Sequence, residues 1–571
     1  KFIYETTGDK LDIDKIPLDD EATCSMLRKG DTQGVFQLES GGMTKLVMDL
    51  GPESFEDLIP LVALYRPGPL GTGMVEDFIA GRHGEKTAEM LHPLLEPVLK
   101  DTFGVILYQE QVMQITSVLA GFSLGQADIL RRAMGKKKAK ELDSMREAFI
   151  DGAQQKHGIS PQLSSEIFAL LQHFAGYGFN KSHSAAYALV AYQTAYLKAH
   201  WPAEFMAAFL TSVISDSEKL SWYISVCRSM GLKILPPDVN ESGRSFSVNK
   251  DRVIRFGLAG VKNVGENAIG SILQARKEGP FKSLMDFCKR VDNRAVNKRM
   301  LENLIKCGAM DSFGYKRSEL LAVAEQAMDM GSNYQKDYQS GQMGLFGDDS
   351  FADVNELRIP ELEEIPKRTI LQYEKELIGF YVTGNPLDAY VGSLYYYTPL
   401  RKISDASEVL DGKYFSVAGI ISDCRIRNTR QGDSMAILTL EDFNGKMEIV
   451  VFPKVYRDAA RLLYQENAIS VEGKLSIDER ERKIQALKIK PLQEVPPDLH
   501  IKIMKKDENG IVQKGLKQIF ESFSGDTPVY LHLIDSGKMI KVERCFWVDG
   551  KNAGVYQALD DLLGENWYLK G

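Results

Sequence analysis

Cysteine is scarce in this chain and never paired. Cys24, Cys227, Cys288, Cys307, Cys424 and Cys545 stand singly among 571 residues, with no C-x-x-C, which excludes a disulfide framework and offers no zinc spacing. Long apolar runs are missing too. The longest uncharged stretches, 111–127 and 182–197, are broken by Gln, Ser, Thr and His. They fall short of the ~18 continuous apolar residues that a membrane span needs. The chain opens on Lys1 without a signal peptide, so it is expected to be a cytoplasmic piece of something longer, with no membrane partner. No G-x-x-x-x-G-K-[ST] and no H-E-x-x-H occur, and the histidines lie far apart, so neither a Walker loop nor a zincin helix is encoded. Net charge is −8, which speaks against a uniformly nucleic-acid-coated surface but leaves room for local basic patches.

At roughly 100–200 residues per domain, this length predicts about four domains. Residues 1–215 read as helical and irregular, with Asp19-Asp20 as a helix cap rather than an acid pair and tight turns at 66–69 and 176–178. A helix around Leu220, Tyr223, Ile224 and Cys227 ends at Gly231, and an apolar run stops at Pro236-Pro237. Residues 216–328 form a second helical region with glycine hairpins. Residues 329–350 read as a polar linker with too little apolar surface to order it, and 351–412 as a helical connector. From Tyr414 the pattern alternates: Phe415, Val417, Gly419, Ala436, Leu438, Leu440, Ile449, Val451, Ile469, Val471, Ile484 and Leu487. Short strands at that density predict a small barrel or sandwich over 413–495. Residues 496–571 read as a small α/β module with strands at 499–503, 529–534 and 539–546. The fold class expected is therefore multidomain α+β, mainly helical first, then all-β, then α/β.

Three strings carry positive signals, and all concern phosphate. Residues 131–140, Arg-Arg-Ala-Met-Gly-Lys-Lys-Lys-Ala-Lys, hold six cations and no acid. The preceding 125–130 reads as helix, which sets Arg132 and Lys136 about one turn apart. The competing reading is a helix end whose cations complement the dipole. Residues 176–184, Gly-Tyr-Gly-Phe-Asn-Lys-Ser-His-Ser, lead into a helix that Asn180 or Ser182 can cap. Its first free N–H groups, with Lys181 and His183, make an anion site; alternatively a polar helix start simply faces water. Residues 258–272 resemble a helix-hairpin-helix, with an apolar helix end, a turn around Val264-Gly265, then Ala268, Ile269 and Ile272 on the second helix. Such hairpins hold DNA phosphates on backbone N–H groups without reading sequence. Asn263 stands where the usual hairpin has its first glycine, a substitution asparagine allows by tolerating φ > 0. A purely structural turn is the competing reading.

Several longer strings occur in a fixed order: Phe36-Gln-Leu-Glu-Ser40, Ala63-Leu-Tyr-Arg-Pro-Gly-Pro-Leu70, Gly104-Val-Ile-Leu-Tyr-Gln-Glu-Gln-Val-Met113, Leu130-Arg-Arg-Ala-Met-Gly-Lys-Lys-Lys138, Phe174-Ala-Gly-Tyr-Gly-Phe-Asn-Lys-Ser-His-Ser-Ala-Ala-Tyr187 and Leu232-Lys-Ile-Leu-Pro-Pro-Asp238. Together they resemble the fingers of the bacterial C-family replicative polymerases, the DNA polymerase III alpha subunits. The resemblance runs over nearly the whole chain, strongest in 15–310 and weaker in the last 75 residues. It implies fingers, a tandem helix-hairpin-helix domain, a clamp-binding peptide, an oligonucleotide-binding barrel and a tail that meets the tau subunit of the clamp loader.

By motif match, Arg66, Arg131, Arg132, Lys136, Asn180, Lys181 and His183 are implied as contacts to the incoming deoxynucleoside triphosphate and the primer–template backbone. Their role is electrostatic, not proton transfer. Lys262, Asn263 and Gly265 are the hairpin's DNA contacts. Arg425, Arg427, Arg430, Phe443, Lys446 and Phe452 offer cations and ring faces suited to single-stranded template; for Phe452 the competing reading is a ring buried in the barrel core. Gln342, Leu345 and Phe346 fit the Q-x-x-[LM]-F peptide that such proteins insert into the beta sliding clamp. The family's three metal-binding aspartates lie in a palm that precedes this region, as do its thumb and N-terminal domain. No Asp-x-Asp on a strand replaces them, so the chain is expected to lack catalytic residues and to be inactive alone, with Mg²⁺ belonging to the whole polymerase. The alternative reading is a non-catalytic scaffold joining clamp, template and clamp loader.

Overall fold

Small side chains decide how the first part of the chain packs. On the helix Lys181–His200 the buried positions are Ser184, Ala188, Ala191, Tyr192, Ala195 and Lys198, a stripe narrow enough to let other helices approach closely. It packs on the helices Leu58–Leu64 and Glu21–Arg28. Ser184 Oγ donates to Ile59 O at 2.5 Å, and the Tyr192 hydroxyl donates to Pro17 O at 3.0 Å while accepting the Asp20 N–H at 2.9 Å. Asp20 caps Glu21–Arg28, as its sequence position suggests. One continuous apolar core runs through these elements from Ile16 to Ala195.

The computed structural model describes residues 1–71, 73–86, 90–135, 139–175, 178–339, 357–404, 410–429, 432–443, 445–478, 481–496, 498–504, 510–564 and 567–568. They form two compact units, Lys1–Ile365 with Tyr373–Phe380, and Pro366–Gln372 with Tyr381–Gly571. No helix among the described residues is long and apolar enough to cross a membrane.

Past residue 215 the first unit continues with the helix Ser217–Ser229, closed by Gly231 at φ 75°, and with a small sheet absent from the sequence reading. Its strands are β1 (Ile234–Leu235), β2 (Ser247–Val248) and β3 (Ile254–Arg255), ordered β1-β3-β2. Two-residue strands carry no periodicity to detect. The segment before the hairpin, expected to end a helix, is only a 3-10 turn, Leu258–Gly260. The second helix, Glu266–Ala275, buries Ala268, Ile269 and Ile272 as expected. A second correction concerns 329–339, which are helical: Arg317–Gln339 is one helix. Tertiary contacts overcome the polar composition there. Gln335 Nε2 donates to the carbonyls of Lys289 (3.0 Å) and Val291 (2.5 Å), beside the end of the helix Leu284–Arg290. Gly331 is needed because a Cβ there would meet Cys288 O at 2.5 Å. At the other end Arg317, nearly fully buried, joins Asp311 (2.8 Å), Glu374 (3.1 Å) and Lys306 O (3.0 Å).

In the second unit the alternating segment closes into a five-stranded barrel of β4 (Tyr414–Asn428), β5 (Ser434–Glu441), β6 (Lys446–Val451), β7 (Ala468–Asp478) and β8 (Glu481–Pro491), ordered β4-β5-β6-β8-β7. The β6–β8 seam is parallel and the other pairs antiparallel. Val417, Leu438, Leu440, Ile449, Val451, Ile469, Val471 and Ile484 fill its centre, at about 1.5–3 kcal/mol for each large side chain fully buried. Leu487 departs from the pattern. The β7–β8 register steps from Glu472↔Lys488 to Gly473↔Ala486, so Leu487 is the extra residue of a bulge and faces outward. The last sheet pairs β9 (Leu499–Ile503), β11 (Val529–Leu533) and β12 (Lys538–Lys541), after a short β10 (Ser524–Thr527). The strand expected over 539–546 stops at Lys541, and Arg544–Phe546 is a 3-10 turn.

Candidate nucleotide and nucleic-acid interface

Gln111 organises the most polar region of the first unit. Fully enclosed, its Oε1 accepts the N–H groups of Leu107 (2.8 Å) and Tyr108 (2.9 Å), while Nε2 donates to Thr102 Oγ1 (2.8 Å). That fixes 107–109 as an extended edge, and 178–180 pairs with it. Phe179 N–H donates to Leu107 O (3.3 Å), Gln109 N–H to Phe179 O (2.9 Å), and Gln109 Nε2 to Gly178 O (2.9 Å). Motifs about seventy positions apart in sequence are joined by this short parallel bridge.

Five of the expected phosphate contacts converge here. The Arg66 guanidinium lies over the Phe179 ring at 4.8 Å. Arg131 donates to Gln109 Oε1 at 3.0 Å. Asn180 is the cap of Lys181–His200, its Oδ1 accepting the His183 N–H at 2.8 Å. Lys181 Nζ sits over the buried Tyr108 ring at 5.5 Å, and the exposed His183 ring rests against Tyr187 at 4.4 Å. Arg132 joins from the next position on Leu124–Gly135, exposed to solvent. Lys136 lies outside the described residues.

Two acids belong to this cluster that the sequence reading missed. Asp128 takes both Arg131 (2.8 Å) and Arg132 (2.8 Å), and hydrogen bonding from Arg131 holds its carboxyl below the usual range. The two arginines are therefore not the unpaired cations their ten-residue window suggested; the partner sits one helical turn upstream, just outside it. Glu110 occupies the helix start itself, accepting from Asn180 Nδ2 (2.8 Å) and from the Lys181 N–H (3.0 Å). The anion expected at those N–H groups is in place, supplied by the chain. Glu110 stood inside the quoted 104–113 string, so its presence was readable and its reach was not.

The hairpin is built as the sequence suggests at one position and differently at another. Asn263 has φ 65°, the left-handed conformation that a glycine would otherwise supply. Gly265 is an extended N-cap at φ −77°, with no side chain to bond the helix start and nothing within 4 Å of where a Cβ would stand. Among the described residues, the N–H groups of Gly265, Glu266 and Asn267 have no acceptor. The Glu266 carboxylate is turned aside by a two-pronged pair with Arg244 at 2.7 Å and 2.7 Å. Lys262 is exposed, its N–H bonded to Leu377 O at 2.8 Å. An open cleft of about 430 Å³ borders this turn, walled by Ile214, Leu220, Leu377 and Gly379.

On the barrel, the expected contacts divide into two groups. Arg425 and Arg427 face Ile437 and Met435 across the β4–β5 ladder, while at the opposite end of β5 Lys446 pairs with its last residue, Glu441, and Phe443 follows it in the turn. At ~3.3 Å per strand residue the groups stand about 20 Å apart. Phe452 follows Val451, which pairs with Ala436, so it belongs to the arginine end. It is 45 % exposed, so it is not in the core: the β6 strand has ended, and Phe452 is the residue that precedes the helix Pro453–Ala459. Arg425 pairs with Asp423 (2.9 Å) and Lys446 with Glu441 (3.0 Å), leaving Arg427 the exposed cation without an ion pair among the described residues. Arg430 and the clamp-peptide residues Gln342, Leu345 and Phe346 lie outside the described residues.

Among the described residues no group of three or more His, Cys, Asp or Glu is placed to hold a metal ion. The Asp12-Ile-Asp14 string forms a 3-10 turn with Asp12 paired to Lys15 at 3.0 Å. The buried thiols are pushed up, Cys24 to about 11 and Cys227, Cys288 and Cys307 to about 12, by loss of solvent.

Three family models match in the same order. Residues 1–157 match the bacterial DNA polymerase III alpha subunit finger domain, 231–320 a helix-hairpin-helix motif, and 415–492 an OB-fold nucleic acid binding domain. Among curated relatives, the DNA polymerase III subunit alpha of Pseudomonas aeruginosa is 41% identical over 97% of this chain and 50% of its own length. That of Thermus aquaticus is 42% identical over 94% and 44%, and that of Escherichia coli 43% identical over 82% and 41%. The chain thus spans about half the length of the relatives it matches. Over these residues it belongs to the family of bacterial DNA polymerase III alpha subunits.

Proposed function

We propose that this chain is the fingers-to-tail part of a replicative DNA polymerase, which adds deoxynucleotides to a primer 3′ end under template direction. The observation that carries the reading is the convergence of Arg66, Arg131, Asn180, Lys181 and His183 on the 107–109/178–180 bridge, with Arg132 sharing Asp128 with Arg131. Cations and N–H groups held on buried supports are suited to a triphosphate, stabilising charge on the transferring phosphoryl group without proton transfer. The described residues do not fit a catalytic Mg²⁺ pair, since no carboxylate cluster is present among them, and no step through the metal is assigned to this chain.

The hairpin at 262–265 would hold duplex backbone and the Arg425–Arg427 end of the barrel single-stranded template. Residues 342–346 would engage the sliding clamp and the tail the tau subunit. Inorganic tripolyphosphate binding by calorimetry tests the central reading: it should be measurable and should fall when Arg131 or Lys181 is replaced by alanine. Binding untouched by either change would overturn it. The purified chain should not extend a primer on its own. Leu345→Ala with Phe346→Ala should abolish clamp binding and leave the melting temperature unchanged.

The scaffold reading differs only in the parent protein, where the same Arg131→Ala change would leave primer extension intact.

A further inference from the structure

The three-stranded sheet of the last module has two edges, and the chain treats them differently. At the β9 edge it adds a segment of its own: Ile501 and Tyr568 form an antiparallel bridge, and Lys502 N–H donates to Trp567 O at 2.5 Å. At the other edge, β12 pairs with β11 alone among the described strands. All four of its residues are exposed, Met539 by 60 % and Ile540 by 46 %. The apolar core beneath the sheet takes its strand residues from β9 and β11, so it stops one strand short of this edge.

The register says which backbone groups are free. Val542 N–H donates to Val529 O at 2.9 Å, continuing the pairs Tyr530↔Lys541 and Leu531↔Ile540. Hydrogen-bonded and non-hydrogen-bonded positions alternate along an antiparallel pair. Ile540 therefore bonds β11, and the N–H and C=O groups of Met539 and Lys541 point away from the sheet. Edge lysines ordinarily deter strand addition. Here the Lys541 ammonium is folded back over the Tyr530 and Trp547 rings, 5.4 Å from each centroid, which leaves the backbone edge uncovered.

The strand reads Lys-Met-Ile-Lys, cation–apolar–apolar–cation with no acid. A second copy of it fits badly. Antiparallel and in register, two such strands set Lys538 against Lys541 twice, and like charges directly opposite destabilise a pair. The complementary pattern is acid–apolar–apolar–acid. We propose that the open edge of β12 docks an extended acidic segment of a partner protein, which adds a strand to this sheet. Carboxylates beside Lys538 and Lys541 fix its register, and the apolar pair between them covers Met539 and Ile540. The proposal goes beyond the reading of the nucleotide and DNA surfaces and does not rest on it.

The test follows the anisotropy of a fluorescein-labelled peptide, Ser-Glu-Val-Val-Glu-Ser, titrated with the whole chain. A peptide of the same composition, Ser-Val-Glu-Glu-Val-Ser, is the control and should bind roughly fivefold more weakly. N-methylation of the peptide amides that face β12 should abolish binding, and N-methylation of those that face away should not. Met539→Pro removes one outward N–H and spares the β11 ladder, since proline is tolerated on an edge strand whose N–H faces solvent. It should abolish binding with an unchanged melting temperature. Lys538→Glu, an exposed change, should weaken binding about fivefold even if the proline variant folds poorly. No binding of the first peptide, equal binding of the two, or binding untouched by both substitutions would overturn the proposal. So would a chain that sediments as a dimer and becomes a monomer in Lys538→Glu or Met539→Pro, because the edge would then belong to a second copy.

Discussion

At the start of Lys181–His200, a carboxylate from elsewhere in the chain sits on the helix N–H groups: Glu110 accepts from Lys181 N–H and from the Asn180 side chain. At the start of Glu266–Ala275, the same backbone groups are offered to solvent, with a glycine cap and with the nearest carboxylate, Glu266, tied to Arg244. Both are ready anion sites by backbone geometry and macrodipole. One is filled by a carboxylate of the same chain, while the other has no acceptor among the described residues. That difference suits their proposed ligands. A triphosphate carries several charges on one small group and can compete with a single carboxylate, whereas a duplex backbone offers one charge at a time and needs an unobstructed start.

The largest effect expected is at the filled site. Arg131 links the cluster to the bridge through Gln109 and is partly turned from solvent. Hydrogen bonds to charged groups contribute about 1.5–3 kcal/mol, so Arg131→Ala should weaken tripolyphosphate binding roughly 10- to 100-fold. Arg132 is exposed and shares Asp128, so Arg132→Ala should do less. If calorimetry ranks them the other way, Arg131 is a strut and Arg132 the ligand.

The sequence made part of this site readable. Every residue of the bridge lies in one of the strings that carry the family resemblance, and the capping role of Asn180 follows from residue type and position alone. What could not be read was which acid meets which cation. Asp128 lay just outside the basic window, and Glu110 reaches Lys181 only because Gln111 sets the edge on which both depend. The same holds for the fold. The barrel's strands followed from alternation, but one bulge turned Leu487 outward, and Phe452 went to the surface because a strand ended one residue earlier. The helix through 329–339 was hidden because its support, carbonyls at the end of a neighbouring helix, is remote in sequence.

A second, smaller effect bears on the open site. Asn263 is left-handed, so Asn263→Val should destabilise the first unit by about 1–2 kcal/mol, the cost of that conformation for a β-branched residue, which lacks the tolerance that asparagine and glycine have for it. Asn263→Gly should be close to neutral and should leave duplex binding unchanged. Thermal unfolding of the two variants checks this. Equal losses in both would mean that the asparagine side chain, and not the backbone, holds the turn.

The smallest expected effect is the one that tests the comparison most directly, because it exchanges the two states. Glu110→Gln keeps the shape of the side chain at the Lys181 helix start and removes its charge. Gly265→Asp places a carboxylate at the other start, where the backbone is already extended and no atom stands within 4 Å of the new Cβ, so no strain accompanies the change. A charge within the first helical turn is worth about 0.3–1 kcal/mol, or roughly two- to fivefold in binding. Glu110→Gln should therefore raise tripolyphosphate affinity by that factor. Gly265→Asp should lower duplex affinity by the same order while slightly raising the melting temperature, since aspartate caps a helix at least as well as glycine. The duplex loss should shrink as salt is added, because backbone contacts weaken with ionic strength in parent and variant alike. If Gly265→Asp stabilises the helix yet binds duplex as the parent does, the open start is not where DNA sits, and the contrast between the two helices is structural only.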